Sequence, residues 1–112
     1  MNKDKFMVVN ETKKFIVYVN EILINYPRKC YVLKDKIEST SYDVLELIYL
    51  TNMIEDRLYN QKIIISKISM LDFYLEISYK KEIISLKKLN QGCRLLDVIR
   101  KLMYGWVNSN GS

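Results

Sequence analysis

The sequence predicts an all-α protein and, within that class, an antiparallel up-down-up-down four-helix bundle. Three observations carry the prediction. Glycine and proline are scarce, 3 and 1 in 112 residues, whereas a sheet protein of this length needs many turn residues. Hydrophobic residues make up 49% of the chain, enough for a real core and too many for disorder. Apolar residues also recur at spacings of three and four in four long segments, which gathers them on one face of an α-helix. The length suits one domain over residues 1–112.

The first helix is predicted over residues 11–26. Phe15, Val19, Ile22 and Tyr26 fall on one face, Asn10 is the candidate N-cap, and Pro27 ends the helix. The second is predicted over 31–53, with an inner stripe of Leu33, Ile37, Val44, Leu47, Ile48, Thr51 and Ile54. Glu55-Asp56-Arg57 reads as a polar connection. The third is predicted over 59–82, with Ile64, Ile68, Leu71, Leu75 and Tyr79 inward. Ser85 then caps a fourth over 86–107, whose stripe is Leu89, Cys93, Leu96, Ile99, Met103 and Trp106. Lys62-Ile63-Ile64-Ile65 and residues 15–19 are rich in β-branched residues, as strands are. The three-four spacing runs through both, and no turn signal bounds them. Short connections force consecutive helices to run antiparallel.

The sequence contains no histidine. The commonest general base, the Ser-His and Cys-His nucleophile pairs and the commonest metal ligand are therefore missing. Two cysteines without histidine do not form a structural zinc site, and Gly92, Gly105 and Gly111 are too isolated to cradle a phosphate. Asp72 and Glu76 lie one helical turn apart, but Glu76 also precedes Lys80 by four residues, the spacing of a surface ion pair. Cys93 reads as a small core residue. Cys30, beside Arg28 and Lys29, is a candidate reactive thiol, because neighbouring cations favour the thiolate. The expectation is a protein that is not an enzyme and needs no cofactor or metal. Residues 1–10 lack the apolar core of a secretory signal, and no apolar run is long enough to cross a bilayer. The chain reads as cytoplasmic, with reduced thiols and no membrane partner.

Charge is unevenly distributed. Between residues 37 and 56 there is no Lys or Arg, while Glu38, Asp43, Glu46, Glu55 and Asp56 are acidic. Lys80, Lys81, Lys87, Lys88, Arg94, Arg100 and Lys101, opposed by Glu82 and Asp97, carry a charge equal to the +5 of the whole chain. Arg28, Lys29, Lys34 and Lys36 form a second basic group opposed by Asp35. In an up-down-up-down bundle the first and third connections share one end, so both groups are expected at one pole. Lys87, Arg94 and Lys101 repeat every seven residues and extend it down the fourth helix. Such a surface attracts phosphate backbones without reading sequence. The candidate nucleic-acid contacts are Arg28, Lys29, Lys34, Lys36, Lys80, Lys81, Lys87, Lys88, Arg94 and Lys101. The chain also has nine tyrosines and a tryptophan, with Tyr18, Tyr42, Tyr49 and Tyr74 near the stripe edges. Tyrosine and tryptophan are enriched at interfaces, which favours a homo-oligomer.

Tyr26-Pro27 followed by Tyr31-Val32-Leu33-Lys34-Asp35-Lys36-Ile37 resembles the signature that opens the second helix in a family of bacterial four-helix-bundle proteins. Leu71-Asp72-Phe73-Tyr74-Leu75, Ile84-Ser85 and the closing Tyr104-Gly105-Trp106 resemble its later landmarks, so the likeness spans about residues 15–107. Two branches are similar: the accessory variability determinant of diversity-generating retroelements, and the protein encoded in intervening sequences of bacterial large ribosomal RNA genes. The Gly-Trp ending resembles the first. The second ends its second helix in an Ile-Ala-Glu-Gly-like motif, where this chain reads Leu50-Thr51-Asn52-Met53-Ile54. The first resemblance implies a ring-shaped homopentamer that binds a reverse transcriptase and template RNA, supporting error-prone complementary-DNA synthesis without performing it. The alternative is an intervening-sequence-type oligomerisation or protein-interaction module.

Overall fold

The computed structural model describes residues 3–109. Four helices form within that span: α1 Lys3–Leu23, α2 Tyr31–Asn52, α3 Leu58–Lys80 and α4 Leu86–Asn108. A single 3-10 turn, Arg28–Cys30, leads into α2. Each helix packs on the one before it, and α4 packs back on α1 to close the ring. At ~1.5 Å per residue each helix is about 30–35 Å long, and the bundle measures 46 × 22 × 18 Å.

The core lies on the axis, where the four inner stripes meet. Ile64, Ile68, Leu71 and Leu75 of α3 are wholly buried, as are Ile37 and Ile48 of α2 and Leu96 and Met103 of α4. Burial of each such side chain contributes about 1.5–3 kcal/mol. Polar contacts between helices accompany the antiparallel order that the short connections impose. The Tyr18 hydroxyl donates to the Lys88 carbonyl oxygen at 2.6 Å, tying α1 to the first turn of α4. Lys67 faces Asp43 at 3.6 Å between α3 and α2. Arg100 of α4 bonds Asp72 of α3.

The helices depart from the sequence expectation in several places, and α1 ends at Leu23 rather than at Tyr26. First, α1 is already helical at Lys3 rather than at residue 11, so Asn10 is an exposed mid-helix residue and not a cap. The inner stripe continues upstream through Thr12 and Val8, both buried. Thr12 is tolerated there because its hydroxyl donates to the Val8 carbonyl at 2.7 Å. Second, Tyr79 points outward, and Ser78 takes the buried position. The stripe steps by three residues after Leu75, which seats Ser78 to accept the Tyr26 hydroxyl at 2.6 Å. The Ser78 hydroxyl in turn donates a hydrogen bond to the Tyr74 carbonyl oxygen at 2.8 Å. Third, Tyr18 is buried rather than a surface edge residue, so it is removed from any interface. Cys93, expected in the core, is half-buried, and burial followed by the nearby Asp72 and Asp97 pushes its thiol pKa up. Ser85 caps α4 as expected, its Oγ accepting from the Lys88 N–H at 3.1 Å.

Candidate nucleic-acid interface

The α1–α2 and α3–α4 connections meet at one end of the bundle. Leu23 ends α1, Tyr26 turns inward, and its bond to Ser78 fastens the first connection to the last turn of α3. Pro27, extended at φ −63° and ψ 149°, then starts the 3-10 turn, closed by the Cys30 N–H donating to the Pro27 carbonyl at 2.9 Å. Across from it, α3 stops at a left-handed residue, Glu82, with φ 61°. The Ile83 N–H donates to the Ser78 carbonyl and the Glu82 N–H to the Tyr79 carbonyl, both at 2.9 Å. This pair of bonds closes a helix end and turns the chain sharply. Lys29 and Cys30 from the first connection and Lys81 and Glu82 from the second thereby line one shallow groove. A neighbouring groove joins Glu21 and Asn25 to Lys88.

Most of the predicted contact residues fall into two exposed groups. Arg28, Lys29, Lys80 and Lys81 are exposed around the two connections. Lys87, Arg94 and Lys101 are exposed along the outer line of α4, running about 21 Å down the side of the molecule. Lys88 is half-buried and bridges the two groups. Lys34 and Lys36 are not brought together. Lys36 shares its face of α2 with Asp43, which pairs with α3. Lys34 is half-buried toward α1, on the side where Tyr42 reaches Asn20 at 3.5 Å.

Several charges are engaged. Arg100 holds both Asp72 and Asp97, the latter at 2.7 Å. Burial works to lower its pKa, but the bonds to the two carboxylates outweigh it and raise the value. Arg100 is therefore not part of the open basic surface. Glu76 faces Lys80 at 3.7 Å in an exposed pair, so Asp72 and Glu76 have separate basic partners and do not converge as a carboxylate pair. Among the described residues no cluster of three or more His, Cys, Asp or Glu could hold a metal ion. Among the described residues no helix is long and apolar enough to cross a membrane.

Three features of this surface escaped the sequence reading. Asn90 and Gln91 line the outer face of α4 with Lys87 and Arg94; neutral amides beside cations are suited to phosphate and sugar oxygens. They follow Lys87 by three and four residues, a spacing that identifies them. Glu21 enters the pole from α1, which only the closing of the ring reveals. Lys62, one turn into α3, also adds positive charge at the far end beside the Glu55-Asp56-Arg57 connection.

No known protein-family model matches the chain, and no curated protein matches it either.

Proposed function

We propose that this chain is a non-catalytic accessory protein of a diversity-generating retroelement, binding RNA or DNA and a reverse transcriptase to support mutagenic complementary-DNA synthesis. One observation carries the nucleic-acid part: two basic connections share one pole, and their charge continues down one exposed line of α4. The absence of histidine from the sequence favours a role without chemistry. The retroelement and reverse transcriptase rest on the resemblance of residues 15–107 to the accessory variability determinant.

Electrostatic binding of this kind weakens steeply with salt, because each phosphate contact releases a condensed counterion. The test is fluorescence anisotropy with a labelled single-stranded RNA across a salt series. Charge reversal at Lys80, Lys81, Lys87 and Lys88 together should weaken association while circular dichroism stays helical. No retention by the wild-type protein even at low salt, or an unchanged affinity after reversal, overturns the reading.

A second reading, an oligomerisation or protein-interaction module in a homo-oligomer, has its own support. Tyr42, Tyr49, Tyr59, Met70 and Phe73 are all between 42% and 73% exposed. It predicts partner binding that is insensitive to salt and no nucleic acid on purification.

A further inference from the structure

α3 is apolar on two opposite sides. Its inward stripe fills the core. Its outward stripe, Tyr59, Ile63, Ser66, Met70, Phe73 and Ile77, repeats at alternating steps of four and three residues and carries no charge. That is the spacing of a helix–helix seam. Tyr59, Met70 and Phe73 are 73%, 42% and 50% exposed, and Ile63 and Ile77 are half-buried. An apolar helix face is ordinarily packed against a partner, and among the described residues no element of the bundle covers Tyr59, Met70 and Phe73.

We propose that the outward face of α3 pairs antiparallel with the same face of a second copy, across a two-fold axis. This rests on the second reading above, self-association, stands against the five-membered ring that the family resemblance implies, and does not depend on nucleic-acid binding. The choice of a second copy rests on self-complementary charge. One edge of the stripe carries Lys62, Ser69 and Glu76; the other carries Asn60, Lys67 and Tyr74. The antiparallel register that sets Ile63 against Phe73 and Met70 against Ser66 brings Lys62 of each copy to Glu76 of the other. Ser69 then meets its own counterpart at the centre. The opposite edge brings the two Lys67 side chains together, but each already faces Asp43 of its own chain at 3.6 Å. The exposed Glu76–Lys80 contact gives way at little cost. A parallel pair would instead set Lys62 against Lys67 on both edges and join the two basic poles. The antiparallel pair sends the poles to opposite ends.

One helix face is a small interface, so the pair is a reversible dimer. Sedimentation velocity of the full chain, without nucleic acid and over a concentration series from about 1 to 200 µM, should show a monomer–dimer equilibrium. Met70→Lys with Phe73→Lys, both at exposed positions, should weaken the dimer at least about tenfold and leave helicity unchanged. Lys62→Glu should also weaken it, and Lys62→Glu with Glu76→Lys should restore it. Orientation is read by Ser69→Cys in a chain with Cys30 and Cys93 changed to Ser, which should form an intersubunit disulfide on mild oxidation. A protein monomeric throughout, a dimer indifferent to Met70 and Phe73, or a closed five-membered ring would overturn the inference. Loss of RNA binding with the dimer intact would overturn the nucleic-acid reading alone.

Discussion

At residue scale, Gly92 sits where the bundle leaves no room for a side chain. A Cβ there would lie 2.5 Å from Tyr18 Oη and 2.7 Å from both Tyr18 Cε1 and Leu75 Cδ1. Neither neighbour moves easily. Tyr18 is buried and bonded to the Lys88 carbonyl, and Leu75 is wholly enclosed. Alanine gains about 1 kcal/mol of helix propensity over glycine, but overpacking a core costs about 1–3 kcal/mol. Gly92→Ala should therefore lose up to about 2 kcal/mol in urea unfolding, with part recovered when Tyr18→Phe removes the nearest atom. A variant more stable than the parent would show that α4 shifts freely. The same tyrosine governs the alkaline limit. Burial raises the Tyr18 pKa above the ordinary 10.0. Burial raises that of Tyr26 too, opposed by its bond to Ser78. The folded chain then holds phenolic protons that the unfolded chain releases, so stability is full below about pH 10 and falls as pH rises beyond it. Chemical denaturation from pH 8 to 11.5 should show that fall, and Tyr18→Phe should make it shallower.

At the scale of the element, the end of α3 is closed by an unfavourable residue, Glu82 at φ 61°. A left-handed C′ position favours glycine, and Glu82 also sets a negative charge against the negative end of the helix dipole. Glu82→Gly should relieve both, offset by the greater freedom of glycine in the unfolded chain, for a net gain of about 0.5–1 kcal/mol in thermal melting. It also removes a carboxylate from the basic groove, so RNA affinity at low salt should rise. Glu82→Gln, which keeps the backbone strain, should raise affinity without the full gain in stability. The four helices and most of their inward residues were legible in the sequence because periodicity alone carries them. The start of α1 was not, because Thr12 scores as polar until its hydroxyl is seen bonded to its own helix. The exchange of Ser78 for Tyr79 was hidden for the same reason: a buried serine needs its partner, Tyr26, fifty-two residues away. The convergence of the basic connections at one pole followed from topology. The separation of Lys34 from Lys36 follows from their two-residue spacing, which sends helical side chains to different sides.

At the scale of the whole molecule, what matters is how charge is distributed over the surface rather than the net +5. Arg94 and Arg100 lie on one helix, less than two turns apart, and carry the same charge. Arg94 is exposed on the outer line with Lys87 and Lys101. Arg100 faces α3, locked to Asp72 and Asp97. The seven-residue repeat of α4 already sets Arg94 apart with Lys87 and Lys101, and Asp97 engages Arg100 from within the helix; the α3–α4 packing adds Asp72 and completes the lock. Arg94→Gln should leave stability within about 0.5 kcal/mol. It should flatten the dependence of log affinity on log salt by about 0.7 on single-stranded RNA, the loss of one phosphate contact. Arg100→Gln should do the reverse. Stability should fall by about 1–2 kcal/mol, because Asp72 is left half-buried without its cation, while the salt slope stays unchanged. Anisotropy titrations at several salt concentrations, paired with urea unfolding of both variants, make the comparison. Equal losses of affinity from the two substitutions would mean that binding follows net charge alone and that the basic pole has no special role.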